Sequence, residues 1–169
     1  MRRSRDEYFL GMAEYVAGQS TCLRRAVGCV LVDARGHVLS TGYNGTATGE
    51  PHCNEPARRA TIGGGYTMIH PHACPGAQAP SGTNLDGCYA LHDTWNALIQ
   101  CRDPFAIHTS YSGCSPCVTC TKMLMNTSCT RIVFRAPYAH DEEAKKLWTK
   151  NNTQAALGNL PRRTWEHLP

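Results

Sequence analysis

His92 is followed by Cys117 and Cys120, and Pro116 stands directly ahead of the cysteine pair. One imidazole and two thiols form a ligand set suited to catalytic zinc. Such a site takes three protein ligands, at about 2.0–2.1 Å for nitrogen and ~2.3 Å for sulfur, and leaves the fourth position to water. Two cysteines three apart on a helical turn can face one ion. The residue two after the histidine is Thr94, with Asp93 between them. A hydrolytic metal centre also needs a group that moves protons, and a threonine hydroxyl cannot do that at neutral pH.

The elements that must position these residues follow from periodicity and turn chemistry. Tyr8, Phe9, Met12, Tyr15 and Val16 recur at helical spacing and predict an amphipathic helix over residues 4–18. Val27–Val32 is apolar and β-branched, Asp33-Ala34-Arg35-Gly36 reads as a turn, and His37–Thr41 resumes as a strand, giving a hairpin. Gly42-Tyr43-Asn44-Gly45 leaves the second strand, and Asn44-Gly45 by itself reads as a plain turn. A helix is expected over Tyr89–Cys101, starting near His92, with Leu91, Trp95, Leu98 and Ile99 on its apolar side. Ala106–Tyr111 reads as a strand, Pro116–Met125 as a helix with proline in its first turn, and Arg131–Phe134 as a strand. Asp141–Lys150 carries acids early and lysines late, as the helix dipole favours. This order predicts an α/β fold, a three-layer α/β/α sandwich around a central mixed sheet, in one domain over residues 1–169.

Residues 45–88 interrupt that order with a stretch rich in Gly, Pro, Thr, His and Cys, in which a short helix is expected around Pro56–Ile62. A long irregular insertion in a compact domain is uncommon unless it is functional or anchored, and a second, structural metal ion is the natural anchor. The chain has 10 cysteines and 8 histidines, with no export signal at Met1-Arg2-Arg3-Ser4-Arg5-Asp6, which favours metal binding over a disulfide framework. Cys29, Cys101, Cys114 and Cys129 need not be ligands, because free cysteine also serves as a small buried apolar residue. The net charge of +4 forms no long basic run, so small anionic ligands fit better than duplex DNA. No stretch approaches the ~18 apolar residues of a membrane span, and a cytoplasmic protein is expected.

The ordered segments Thr21-Cys22-Leu23-Arg24-Arg25, Val27-Gly28, Gly42-Tyr43-Asn44-Gly45-Thr46, Pro51-His52-Cys53, Asn96-Ala97-Leu98 with Gln100-Cys101, and Ser115-Pro116-Cys117-Val118-Thr119-Cys120 resemble the deoxycytidylate (dCMP) deaminase family. These zinc-dependent enzymes carry an H-x-E followed by P-C-x-x-C. The resemblance implies the cytidine deaminase fold, with His92, Cys117 and Cys120 as ligands of a catalytic Zn2+. It also implies that Asn44, its glycine-containing loop and a basic residue of the Arg24-Arg25 pair hold a pyrimidine nucleotide. The expected substrate-binding set is Arg25, Asn44, Gly45, Trp95, Ser115 and Tyr138. A homo-oligomer, with a hexamer favoured, and a deoxynucleoside triphosphate effector are further implications. So is a second, structural zinc on Cys22, Cys53, His72 and Cys74, with His70 or Cys88 as substitutes.

The family's segment would read close to His-Ala-Glu-x-Asn-Ala, whereas this chain reads His92-Asp93-Thr94-Trp95-Asn96-Ala97. In that chemistry the glutamate takes a proton from the metal-activated water, delivers it to the ring nitrogen and helps ammonia leave. Three repairs stay open. Asp93 can substitute, although adjacent helical positions point about 100° apart. Glu50 or Glu55 can reach in from the long loop, or the substrate can carry a better leaving group on C4. Tyr89, Trp95 and Ser112-Gly113-Cys114 also depart from the family pattern near the expected pocket, and Cys114 is a conceivable fourth ligand that would close the metal site. The function expected is a zinc-dependent hydrolase that converts the C4 amino or substituted amino group of a pyrimidine deoxynucleotide to the 4-oxo product, with Asp93 and Thr94 at the altered catalytic positions. A catalytically silent or regulatory nucleotide-binding protein is the alternative. Polynucleotide editing is disfavoured because no basic stripe with interleaved aromatics is present.

Overall fold

The computed structural model describes residues 2–60, 62–70, 74–80, 82–152, 158 and 160–169, with side-chain burial described for all of these except 57–60, 66–70 and Leu85. Helix α1 (Arg5–Ala17) starts at Ser4, whose Oγ accepts from the Glu7 N–H at 3.2 Å. That contact satisfies one of the free amides of the first turn. Phe9, Leu10 and Ala13 are buried with Met12 and Val16 beside them, while Tyr8 and Tyr15 of the expected stripe are 55% and 85% exposed. The inward face follows the i, i+3, i+4, i+7 pattern from Phe9, so the two tyrosines fall off it.

Strands β1 (Gly28–Val32) and β2 (Val38–Tyr43) form the expected hairpin. The Asp33 carboxylate closes the turn by accepting from the Arg35 and His37 N–H groups at 2.9 and 2.8 Å, and these bonds pull its pKa down to about 2. Next comes β3 (Gly45–Thr46), then a hairpin of β4 (Ala57–Ala60) and β5 (Tyr66–His70), then β6 (Ala90–Leu91), which pairs back onto β3. The helix expected over Pro56–Ile62 is therefore a strand at Ala57–Ala60, because cross-strand pairing with β5 overrides a weak local preference. Helix α2 is shorter than expected (Asp93–Gln100), since Ala90 and Leu91 are spent on β6. Of its expected apolar side, Ile99 is 70% exposed, and Ala97 is the position wholly buried.

The chain continues through β7 (Thr109–Cys114), α3 (Val118–Met125), β8 (Arg131–Ala136), α4 (Asp141–Thr149) and β9 (Thr164–His167). The main sheet runs β2-β1-β7-β8-β9, antiparallel at its first two pairings and parallel at the last two. Alternation along β1 sends Cys29 and Leu31 into one core with Ala97, Leu124, Ile132, Phe134 and Trp148, and Val30 and Val32 into a second core with Phe9, Leu10, Ala13 and Tyr111. Helix α1 thus covers one face and α2, α3 and α4 the other, which is the expected sandwich. Among the described residues no helix is long and apolar enough to cross a membrane.

Strand β9 is absent from the sequence reading. It is held by tertiary contacts: the Trp148 indole N–H donates to the Thr164 carbonyl at 2.9 Å, and Arg131 bridges Asp6 of α1 and Glu166 of β9. The Arg131 hydrogen bonds hold both carboxyls below their ordinary values. A depressed carboxylate contributes stability above its unfolded pKa of about 3.9–4.3 and loses it as pH falls through the lower folded value. The urea midpoint should therefore drop as pH falls from about 5 toward 3, and Arg131→Met should reduce that dependence by the share that Asp6 and Glu166 contribute.

Gly42 decides where α2 lies. A Cβ there would sit 2.2 Å from the Ala97 amide nitrogen and 2.3 Å from the Asp93 carbonyl oxygen, so only glycine lets the first turn of α2 rest on β2. Gly42→Ala should cost about 1–3 kcal/mol or more in urea unfolding. It should also weaken metal retention, because the displaced turn begins at His92.

Candidate active site

His92 precedes α2 in extended conformation (φ −70°, ψ 154°), and Cys117 precedes α3 in the same way (φ −70°, ψ 171°). The two helix starts lie side by side. His92 Nδ1 is 3.4 Å from Cys120 Sγ and 3.5 Å from Cys117 Sγ, and the two sulfurs are 3.5 Å apart. A tetrahedral zinc with ordinary bond lengths places its donors about 3.6–3.8 Å apart, so the trio needs to open by only a few tenths of an ångström to admit the ion. Among the described residues this is the one group of three or more such donors whose ligand atoms all fall within 4.8 Å of one another. The Cys120 thiol and then His92 stabilise the Cys117 thiolate, whose pKa falls to about 4, and the bond to Cys117 in turn raises that of His92. The donor set fits zinc.

The two residues after His92 point differently. Asp93 lines a cleft of ≈ 620 Å³, open water at its mouth included, together with His92, Cys117 and Cys120. Its carboxyl is buried, which raises its pKa, and accepts from Ser112 Oγ at 2.8 Å, while its amide donates to Asn44 Oδ1 at 2.8 Å. Thr94 is 2% exposed and does not line the cleft. Asp93 and Thr94 both belong to α2, so the ~100° between adjacent helical positions separates their side chains, and the Asp93 carboxyl reaches Ser112 instead of taking the Thr94 direction. Glu50 and Glu55 lie outside the cleft lining; the Glu55 carboxylate accepts from the His52 N–H at 3.1 Å.

The rest of the wall comes from Arg24, Arg25, Asn44, Cys114, Ser115 and Tyr138, with Cys22 and Cys88 at one side. The two arginines have separate tasks. Arg24 donates to the carbonyls of Pro80, Thr83 and Asn84 at 2.6, 2.8 and 3.4 Å and pins the loop that brings Gly82 into the cleft. Arg25 donates to Cys114 Sγ at 2.7 Å, stands 6.0 Å from the Tyr138 ring centroid, and makes no ion pair with a carboxylate among the described residues. Asn44 spends one amide hydrogen on the Arg25 carbonyl at 3.0 Å, and Ser115 donates to Asp141 at 2.9 Å, so both also brace the scaffold. Of the expected substrate-binding set, Arg25, Asn44, Ser115 and Tyr138 meet in the cleft, and Gly45 and Trp95 do not line it. Gly45 is taken up by the β3–β6 pairing, and the Trp95 ring packs on His92 at 5.9 Å between centroids. Sequence reasoning marked Ser112 as unusual without giving it a task. The signal available was its place two residues before Cys114 on the same side of a strand.

Cys22, Cys53, Cys74 and Cys88 gather under Ala90 at the base of the long loop. They form two thiol pairs. The Cys88 thiol stabilises the Cys22 thiolate and lowers its pKa to about 5, whereas burial beside Cys74 pushes Cys53 up to about 12. No three of these sulfurs fall within 4.8 Å of one another. His72 and the His70 side chain lie outside the described residues.

The comparisons agree with this geometry. The family model for the cytidine and deoxycytidylate deaminase zinc-binding region matches residues 3–136. The deoxycytidylate deaminase of Saccharomyces cerevisiae is 34% identical over 149 residues, 87% of this chain and 42% of the yeast protein. The chain thus spans about two fifths of that relative's length, and the same holds for the Schizosaccharomyces pombe enzyme, at 41%. The deoxycytidylate deaminase of Mycobacterium phage D29 is 35% identical over 76% of this chain and 92% of its own length. In fold, dCMP deaminase from cyanophage S-TIM5, solved in complex with dCMP and dUMP, superposes with a TM-score of 0.65 at 20% identity over 98% of both chains. A match over residues 3–136, which hold His92, Cys117 and Cys120, with a relative covered almost end to end, places the chain in the cytidine and deoxycytidylate deaminase zinc-binding family.

Proposed function

We propose that the chain is a zinc-dependent hydrolase acting on the C4 amino group of a pyrimidine deoxynucleotide, with Asp93 carrying protons in place of the family's glutamate. The observation that supports this is that Asp93 is the one acidic residue of the cleft lining, beside His92, Cys117 and Cys120, whereas Thr94 is buried and does not line it. His92, Cys117 and Cys120 would hold the ion, which when bound acts as a Lewis acid and lowers the pKa of water to near 7. Asp93 takes a proton from the attacking water as the water oxygen bonds to C4, and returns it to the nitrogen side of the substrate. With that first proton on the ring nitrogen, Asp93 carries the remaining hydroxyl proton to the C4 amino group, and the C4–N bond breaks to leave the 4-oxo ring and ammonia. Arg25, exposed beside Cys114 and Tyr138 and without a carboxylate partner among the described residues, suits the nucleotide phosphate. The likeness to a structure complexed with dCMP and dUMP supports this substrate class.

The proposal extends to a second, structural zinc on Cys22, Cys53, His72 and Cys74, with His70 or Cys88 as substitutes, and the gathering of Cys22, Cys53, Cys74 and Cys88 at the base of the long loop supports it. Zinc content of about 2 per chain, falling to about 1 in Cys53→Ser with the catalytic trio intact, would support it. It extends further to a homo-oligomer responsive to a deoxynucleoside triphosphate. The exposed apolar side chains Ile99 and Phe105 (70% and 71%) support assembly, and light scattering with and without nucleotide measures it.

A second reading, a silent nucleotide-binding protein, draws on Thr94 itself. Incubation with dCMP, read by chromatography for the unmodified chain and Thr94→Glu, separates the two. Formation of dUMP by the unmodified chain supports the hydrolase. Formation by Thr94→Glu alone supports the silent reading. Turnover confined to N4-substituted analogues would assign the altered site to a different leaving group.

A further inference from the structure

Asp93, Ser112 and Cys114 each depart from the family's sequence pattern, and in space they are joined. Ser112 Oγ donates to Asp93 Oδ2 at 2.8 Å, and the Cys114 N–H donates to Ser112 Oγ at 3.3 Å. Cys114 Sγ accepts from Arg25 at 2.7 Å. All three departing residues are buried, Ser112 at 3% exposure and Asp93 and Cys114 at 7%. Ser112 sits on β7 opposite Cys29 of β1, in the rigid middle of the sheet, directly beneath the first turn of α2. An aspartate is one methylene shorter than a glutamate, so it can stand in only if its carboxyl is held in one orientation. A buried hydroxyl on a central strand provides that hold.

We infer that Ser112 is the positioning residue for Asp93. Its hydroxyl is fixed from both sides: the Cys114 amide occupies its acceptor side, which directs its hydrogen to Asp93 Oδ2. The inference rests on the reading of Asp93 as the proton carrier, and it adds that the serine bond holds the carboxyl in one orientation through Oδ2. A misplacement of about 1 Å in a catalytic group costs on the order of 10²-fold, and that sets the scale of the expected effect.

The test uses the zinc-loaded full chain with Ser112→Ala, Ser112→Thr, Asp93→Asn and the double variant. Ser112→Ala should lower kcat on dCMP by about 10- to 100-fold with KM and zinc content kept. Ser112→Thr, which retains the hydroxyl, should recover most of that loss, and the double variant should be no slower than Asp93→Asn alone. Infrared difference spectra supply a readout independent of turnover: the carboxyl band that vanishes in Asp93→Asn should shift in Ser112→Ala and stay near its place in Ser112→Thr. An unchanged band together with unchanged kcat in Ser112→Ala overturns the inference, as does a Ser112→Ala loss of full size in the Asp93→Asn background. If no variant turns over dCMP, the proposed function fails, and the band shift alone decides whether Ser112 orients Asp93.

Discussion

Asp93→Asn should lower kcat for dCMP deamination by about 10²–10⁴-fold, the usual contribution of a general acid-base group, and leave zinc content and nucleotide binding intact. The amide has nearly the carboxyl's shape and keeps the acceptor that Ser112 needs, so the loss reports proton transfer and not collapse of the wall. Rates at saturating dCMP, metal content and the dissociation constant of dUMP check the three parts of this expectation. A rate within about threefold of the unmodified chain would remove Asp93 from the chemistry, since general acid-base groups are worth far more than that. Attention would then pass to a group outside the described cleft lining.

Cys117→Ala should have the larger effect, a fall in turnover of more than about 10⁴-fold, because it removes the lowered water pKa on which the whole reaction depends. Zinc should fall by about one per chain, since two ligands hold the ion poorly. The substitution also removes the side chain that accepts from the Cys120 N–H at 3.5 Å at the start of α3, so a modest drop in melting temperature is expected alongside. Elemental analysis after dialysis separates the effects. Full zinc occupancy in Cys117→Ala would mean that Cys114 or another donor completes the site, contrary to the geometry of the trio.

The local parts of the site were legible in the sequence. The pairing of His92 with Pro116-Cys117-Val118-Thr119-Cys120 announces its ligands because metal donors must recur at fixed spacings on the turns that present them. The missing glutamate was equally plain, as was the sandwich, since apolar periodicity fixes the order of helices and strands. The misses share one cause. Strand β9, the β4–β5 hairpin in place of a helix, and the short α2 are set by partners distant in sequence, through Trp148, Arg131 and the β3–β6 pairing.

The sequence by itself therefore determined which residues can bind the metal and that a threonine stands where the H-x-E signature has glutamate, because both are statements about residue type at close spacing. Only the tertiary structure decided that Asp93 and not Thr94 is among the cleft residues, that Arg25 has no carboxylate partner among the described residues while Arg24 clamps a loop, and that Gly45 and Trp95 do not line the cleft. Side-chain direction at a helix start depends on the extended conformation of His92, on the close approach that Gly42 permits, and on the Ser112 hydroxyl carried up by a strand from elsewhere in the chain. None of these can be read from spacing along α2 alone.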